Sequence, residues 1–224
     1  MPNNFLSKFS LFFITVFLSV SLYAEGNNTK SLYDDSYVVL DAGLFLHYFT
    51  ESDEFRKASG LFGDDDKIDY LLGLVFDAEL LLNKTFSLNL PVNLGVGYKF
   101  QTMSNTVEYS TTMGYEIEKK VEIMNNIGFM NVYIPLDPVK YLLLGGSVGV
   151  GASKYSLSWE YENPSINDSN DSSYGIVIPL SVFLDWGTSG LGGRVGYTYV
   201  LSKYSDINGS TPNGDGSQIF IDIR

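Results

Sequence analysis

The chain has no cysteine and a single histidine among its 224 residues, and basic residues are scarce, with 14 Lys+Arg against 26 Asp+Glu for a formal charge of −12. The first absence excludes disulfides, thiolate metal centres, a cysteine nucleophile and a cysteine-linked lipid anchor. The second excludes any site built on two imidazoles. The third argues against nucleic-acid binding, because no basic stripe exists to neutralise phosphates. Charged residues make up only 18% and aromatics 15%, the reverse of a disordered sequence. No apolar run reaches the about 20 residues of a membrane-spanning helix.

The longest apolar run, Phe9–Leu22, follows Lys8 and the α-amino group. Its length suits the core of a signal peptide, so residues 1–24 are expected to direct export and be removed. Cleavage after Ala24 leaves Leu22 at the −3 position, whereas cleavage after Ser21 places Ser19 there and fits the small-residue rule better. Removal of 1–24 takes one Lys and no acid, leaving a mature charge of −13. Residues 25–35 are a polar segment, and residues 36–224 are the domain.

Within that domain the chain alternates with period two, the signature of a strand with one apolar and one polar face. Along Phe86–Phe100, every second residue from Phe86 through Val92, Val96 and Tyr98 is apolar, separated by Ser, Asn, Pro, Gly and Lys. Ile68–Leu80 repeats the pattern, and Asn83-Lys84-Thr85 reads as the polar turn of a hairpin between the two. Six noisier runs follow the same logic: Tyr37–Phe49, Val121–Tyr133, Tyr141–Tyr155, Tyr174–Trp186, Leu191–Val200 and Ser217–Arg224. In Val121–Tyr133, the weakest, the apolar face is expected to be Ile123, Ile127, Phe129 and Tyr133.

The eight runs are joined by alternating long and short links. The short ones are Asn83–Thr85, Pro135–Lys140 and Gly187–Gly190; the long ones are Thr50–Lys67, Gln101–Lys120, Ser156–Ser173 and Leu201–Gly216. All long links therefore leave one end of the sheet. The polar faces carry mostly Gly, Ser, Asn and Thr, which suit a crowded barrel interior. The apolar faces are tipped with Tyr48, Tyr70, Tyr98, Phe100, Tyr174, Tyr197 and Tyr199 at one end and Phe86, Tyr133 and Trp186 at the other, the pattern of interfacial girdles. The expected fold is all-β, an eight-stranded antiparallel up-and-down transmembrane β-barrel.

On these features the domain resembles the small eight-stranded outer-membrane barrels, the group of the OmpA transmembrane domain, OmpX and the opacity-type surface proteins. The resemblance implies an outer-membrane location in a diderm bacterium, contact with membrane lipid and a monomer. It also implies a structural, adhesion or binding role through the long loops, with an extracellular ligand or host-surface partner, and neither an enzyme nor a bulk transporter. The ending Phe220-Ile221-Asp222-Ile223-Arg224 departs from the group, whose members usually end in an aromatic residue. Three other readings stay open: a barrel enzyme acting on envelope lipid through His47, a soluble periplasmic lipid-binding barrel, and a narrow channel.

No residue pattern defines a catalytic, cofactor or metal site. His47 lies on the inward face near the loop end of its strand, with no motif of Ser and acid around it. Asp64-Asp65-Asp66 offers hard oxygens without the spacing of a calcium loop. Strand parity directs Asp41, Asp69, Asp77, Glu79, Lys99, Asp185 and Arg194 into the lumen, where buried acids need partners. Asp185 and Arg194 flank the Gly187–Gly190 turn within cross-strand reach, and Asp41 and Asp77 are placed to face each other across the first hairpin. The candidate site is thus a lumenal polar network of Asp41, Asp77, Glu79, Asp185 and Arg194, with Arg194 at its hub.

Overall fold

The computed structural model describes residues 36–50, 70–110, 116–136, 139–161, 169–188, 191–206 and 211–224. Eight strands follow in chain order: β1 (Val38–Phe49), β2 (Tyr70–Leu81), β3 (Asn93–Ser110), β4 (Glu116–Leu136), β5 (Val139–Tyr161), β6 (Ser169–Thr188), β7 (Leu191–Tyr204) and β8 (Gly216–Ile223). Each pairs antiparallel with the next, and β8 pairs with β1, so the meander closes. Within the closed ring, closure leaves no sheet edge with unpaired backbone groups. Arg224 and Gly192 exchange backbone hydrogen bonds just past the end of β8. The turn connecting β6 to β7 is short, as is the one connecting β4 to β5, where the register shifts between Pro135 and Leu136. In β6, Pro179 offers no N–H, and the β5–β6 ladder is interrupted beside it, between Leu180 and Val177.

Parity sets what each face carries. The outward residues of β1 and β2, Val38 through Tyr48 and Tyr70 through Leu80, are directly paired across the ladder. Leu40, Val150 and Ile176 are 60–68% exposed, and the outward face carries a continuous belt of such side chains. Eleven residues, tilted as barrel strands are, rise about 25 Å, the height of a bilayer's apolar band. Inward, small residues sit against large ones. A Cβ on Gly73 would lie 2.2 Å from Cζ of Phe45, and one on Gly145 would lie 1.9 Å from Cε2 of Phe183. Those two glycines are the space the rings occupy.

Four sequence expectations are corrected. First, β4 faces the other way: Val121, Ile123, Ile127, Phe129 and Tyr133 are buried in the lumen, while Met130, Val132 and Ile134 point outward. Second, Phe86–Val92 is not strand. One helical turn, Leu82–Thr85, follows β2, and β3 begins only at Asn93. Asn83 ties this connection down, donating to the Val92 carbonyl at 2.7 Å and accepting from the Leu94 amide at 2.9 Å. Phe86, Leu88 and Leu90 remain exposed there, and Ser87 takes a left-handed φ of 52°.

Third, Tyr133 and Trp186 leave the expected girdle. Tyr133 points inward, and Trp186, although on outward parity, is buried over Gly193, where a Cβ would lie 2.7 Å from its Cζ2. Fourth, most of the supposed long links Gln101–Lys120 and Ser156–Ser173 is strand. Beyond the apolar belt, β3 to β6 continue as an overhanging four-stranded sheet, while β1, β2, β7 and β8 stop near its edge. Asp64–Asp66 and Asp69 lie outside the described residues.

Candidate functional site: a lumenal ionic cluster

Among the described residues, the buried charges gather at the turn end of the lumen, apart from Lys119, which is buried over the Trp159 ring at the overhang end. Arg194 on β7 is directly opposite Asp185 on β6 and Asp222 on β8, and Asp41 on β1 is opposite Asp77 on β2. Asp77 is in turn opposite Lys99 on β3. Four of the eight ladders thus bring acid or base to one level of the barrel, an outcome of closure that no local segment contains.

Arg194 is buried to 1% exposure. Its Nε donates to Asp185 Oδ2 at 3.1 Å, and its Nη2 donates to the Tyr133 hydroxyl at 2.7 Å and reaches Glu79 Oε2 at 3.4 Å and Asp41 Oδ2 at 3.6 Å. The guanidinium lies over the Phe183 ring, 4.3 Å from its centroid. Arg224 lies beside it. Nε and Nη2 grip both oxygens of Asp41 at 2.6 and 2.9 Å, and Nη1 meets Asp185 Oδ2 at 2.7 Å. The Tyr133 hydroxyl also donates to Glu79 Oε2 and accepts from the Asn131 amide at 2.9 Å. A Cβ on Gly95 would lie 1.7 Å from Glu79 Oε1, so that glycine makes room for the carboxylate. Lys99 reaches Asp77 Oδ2 at 3.6 Å.

All five residues of the sequence-derived network stand in this cluster. The sequence reading missed three members. Arg224 supplies the second guanidinium, Tyr133 enters the lumen from the face expected to meet lipid, and Asp222 is absent from the expected lumenal charges. The signal for Asp222 and Arg224 was available in parity alone, since both continue the inward series of Gln218 and Phe220.

Above the charges the lumen changes character. A neutral layer links Gln218, Gln101, Asn125, Ser153 and Tyr204 through side-chain hydrogen bonds of 2.6–3.4 Å. Phe45, Phe49, Leu71, Met103, Ile123 and Tyr155 pack around and above it. His47 is buried within this region. Its Nδ1 is 3.3 Å from Gln218 Nε2 and its ring meets Phe49 edge-on at 4.7 Å, partners unlike the hydroxyl and carboxylate that a hydrolytic triad requires.

The overhanging sheet carries a second charged feature. Glu108, Glu118 and Glu160 occupy directly paired positions on β3, β4 and β5 and face outward. With Glu116, Ile117 and Tyr161 they line a cleft of about 270 Å³.

A closed eight-stranded meander with a filled lumen and an apolar outer belt has the fold of the small outer-membrane barrels. Two solved structures share this fold. The attachment invasion locus protein Ail of Yersinia pestis, in complex with the heparin analogue sucrose octasulfate, has a TM-score of 0.50 at 12% identity, over 83% of this chain and 96% of that one. Neisserial surface protein A has a TM-score of 0.51 at 9% identity, over 84% and 96%. No protein-family model and no curated protein sequence matches the chain.

Proposed function

We propose that this protein is an outer-membrane surface barrel with a plugged lumen, which uses its overhanging sheet and loops to bind a partner outside the cell. The observation that carries the reading is the contrast between its two faces. The outward belt is apolar over about the height of a bilayer, while the inside is packed with ion pairs, amides and aromatic rings. A soluble lipid-binding barrel would reverse this, with its apolar face inward around a ligand cavity. An eight-stranded lumen filled by side chains is unsuited to bulk solute passage, and the buried setting of His47 favours a packing role over catalysis.

The overhang supports binding as the role, and its charge indicates the kind of partner. Ail is seen with a polysulfated sugar; here the row of Glu108, Glu118 and Glu160 would repel such a ligand and favours a cationic one. Membrane fractionation with gel mobility of boiled and unboiled samples tests the placement. An outer-membrane fraction whose band shifts on boiling is expected; a soluble protein without a shift would overturn it. For the partner, protein in liposomes is expected to retain a polycationic peptide in a salt-sensitive manner and not heparin.

A further inference from the structure

The ionic cluster does not balance. Among the described residues at the turn end of the lumen there are five carboxylates, on Asp41, Asp77, Glu79, Asp185 and Asp222, against three cations, on Lys99, Arg194 and Arg224. Glu79, Asp185 and Asp41 are gripped by the two arginines. The unmatched charge falls on the remaining two. Neither oxygen of Asp77 accepts a hydrogen bond, its neighbours being the Lys99 ammonium at 3.6 Å and the carboxylates of Asp41 and Asp222, and both oxygens of Asp222 lack a partner although the residue is 1% exposed. A buried carboxylate left in that state carries a desolvation cost of several kcal/mol, roughly, unless a counter-charge meets it.

The geometry places these oxygens around one point. Carboxylate atoms of Asp41, Asp77 and Asp222 lie within 4.8 Å of one another. Three oxygens bound to one calcium at about 2.3–2.6 Å stand about 4–4.5 Å apart when evenly spaced, so a side-chain adjustment of a few tenths of an ångström would let one ion meet all three. Gly43, directly paired with Asp222, gives that carboxylate its place: a Cβ there would lie 2.2 Å from Asp222 Oδ1. Asp41 already accepts from Arg224, but each carboxylate oxygen has a second lone pair to give.

We propose that Asp77, Asp222 and Asp41 hold one divalent cation in the lumen, calcium fitting best because it tolerates an irregular all-oxygen shell. Its two positive charges cancel the excess of two negative charges in the cluster. The ion therefore joins β1, β2 and β8 across the seam where the barrel closes. This site is independent of the surface-binding role and stands or falls without it.

The test uses the full-length mature chain refolded in detergent without lipopolysaccharide, which itself binds calcium. Refolding with Ca²⁺ followed by desalting and metal analysis is expected to leave about one calcium per chain, and the thermal unfolding midpoint is expected to climb with free Ca²⁺ and fall in chelator. Asp222→Asn should lose this response while being at least as stable as wild type in chelator, because a repelling charge has gone. Asp77→Asn should do the same and serves if the first variant fails to fold. Glu118→Gln, on the overhang, should keep the full response. A wild-type protein that retains no calcium and melts identically in Ca²⁺ and chelator would overturn the proposal, leaving shared protons to neutralise the acids. Loss of the response in Glu118→Gln would overturn it too, by placing the ion outside.

Discussion

The lumenal cluster and the overhanging sheet both gather acidic residues, the first from β1, β2, β6 and β8 and the second from β3, β4 and β5, and they treat charge in opposite ways. In the lumen each acid is buried and sits within reach of a guanidinium, an ammonium or the acids flanking it. On the overhang, Glu108, Glu118 and Glu160 stand side by side in solvent. Like charges directly opposite in a sheet are unfavourable by a few tenths of a kcal/mol, about, up to 1, and salt screens exposed charges over about 8 Å at physiological strength. A row of glutamates is therefore cheap to keep outside, where a partner can use it. The same row in the lumen would prevent folding without cations. Burial turns one residue type from a recruiting surface into a structural charge that must be matched.

The largest test of this contrast removes the hub. Arg194→Ala leaves Asp185, Glu79 and Asp41 with one fewer buried cation, and loss of one partner from a buried ion pair costs about 3–5 kcal/mol. Urea unfolding in micelles should show that loss, and planar-bilayer conductance should rise as the plug loosens. Unchanged conductance with unchanged stability would show that the cluster neither plugs nor holds the barrel. A smaller effect is expected from overpacking. Gly145→Ala drives a methyl into the Phe183 ring and should cost about 1–3 kcal/mol, read from the same unfolding curves.

On the overhang the sign reverses. Glu118→Lys turns a repelling row into two attractive cross-strand pairs and should stabilise by about 0.2–1 kcal/mol, while abolishing retention of a polycationic peptide. The gain should shrink in high salt. The smallest effect is expected at the turn end, where Ser87→Gly relieves a left-handed residue. Its gain, under about 1 kcal/mol after the extra chain entropy of glycine is set against it, should appear as a small rise in the unfolding midpoint.

How much of this was legible in the sequence depended on whether the two faces of a strand differ. In β1, β2 and β6 they do, so existence, parity and inward acids could all be read. In β4 both faces are rich in apolar residues, because Val121 and Ile123 pack in the lumen with Met103, Tyr155 and Leu157, while Ile127, Phe129 and Tyr133 fill it opposite glycines of neighbouring strands. Periodicity cannot then tell inside from outside. The overhang failed for the complementary reason. Once β3 to β6 leave the apolar belt their outward residues turn polar, and Thr106, Glu108, Glu118, Lys120 and Ser158 read as loop. Phe86–Val92 shows the limit from the other side: it alternates well and yet forms no ladder, since Pro91 and the Asn83 clamp hold it as a connection. The ionic cluster was partly legible, because parity sends acids inward. Which acid meets which arginine depends on the register of strands distant in sequence.

The chain's lack of cysteine makes the decisive measurement clean. Single-cysteine variants at Glu118 on the overhang and Ser87 at the short-turn end can be labelled with a membrane-impermeant maleimide, without any native thiol competing. Labelling of Glu118→Cys on intact cells, with Ser87→Cys labelled only after lysis, is the predicted result. Labelling of Ser87→Cys on intact cells, or of neither variant until lysis, would contradict a barrel that spans the outer membrane with its acidic sheet facing outward.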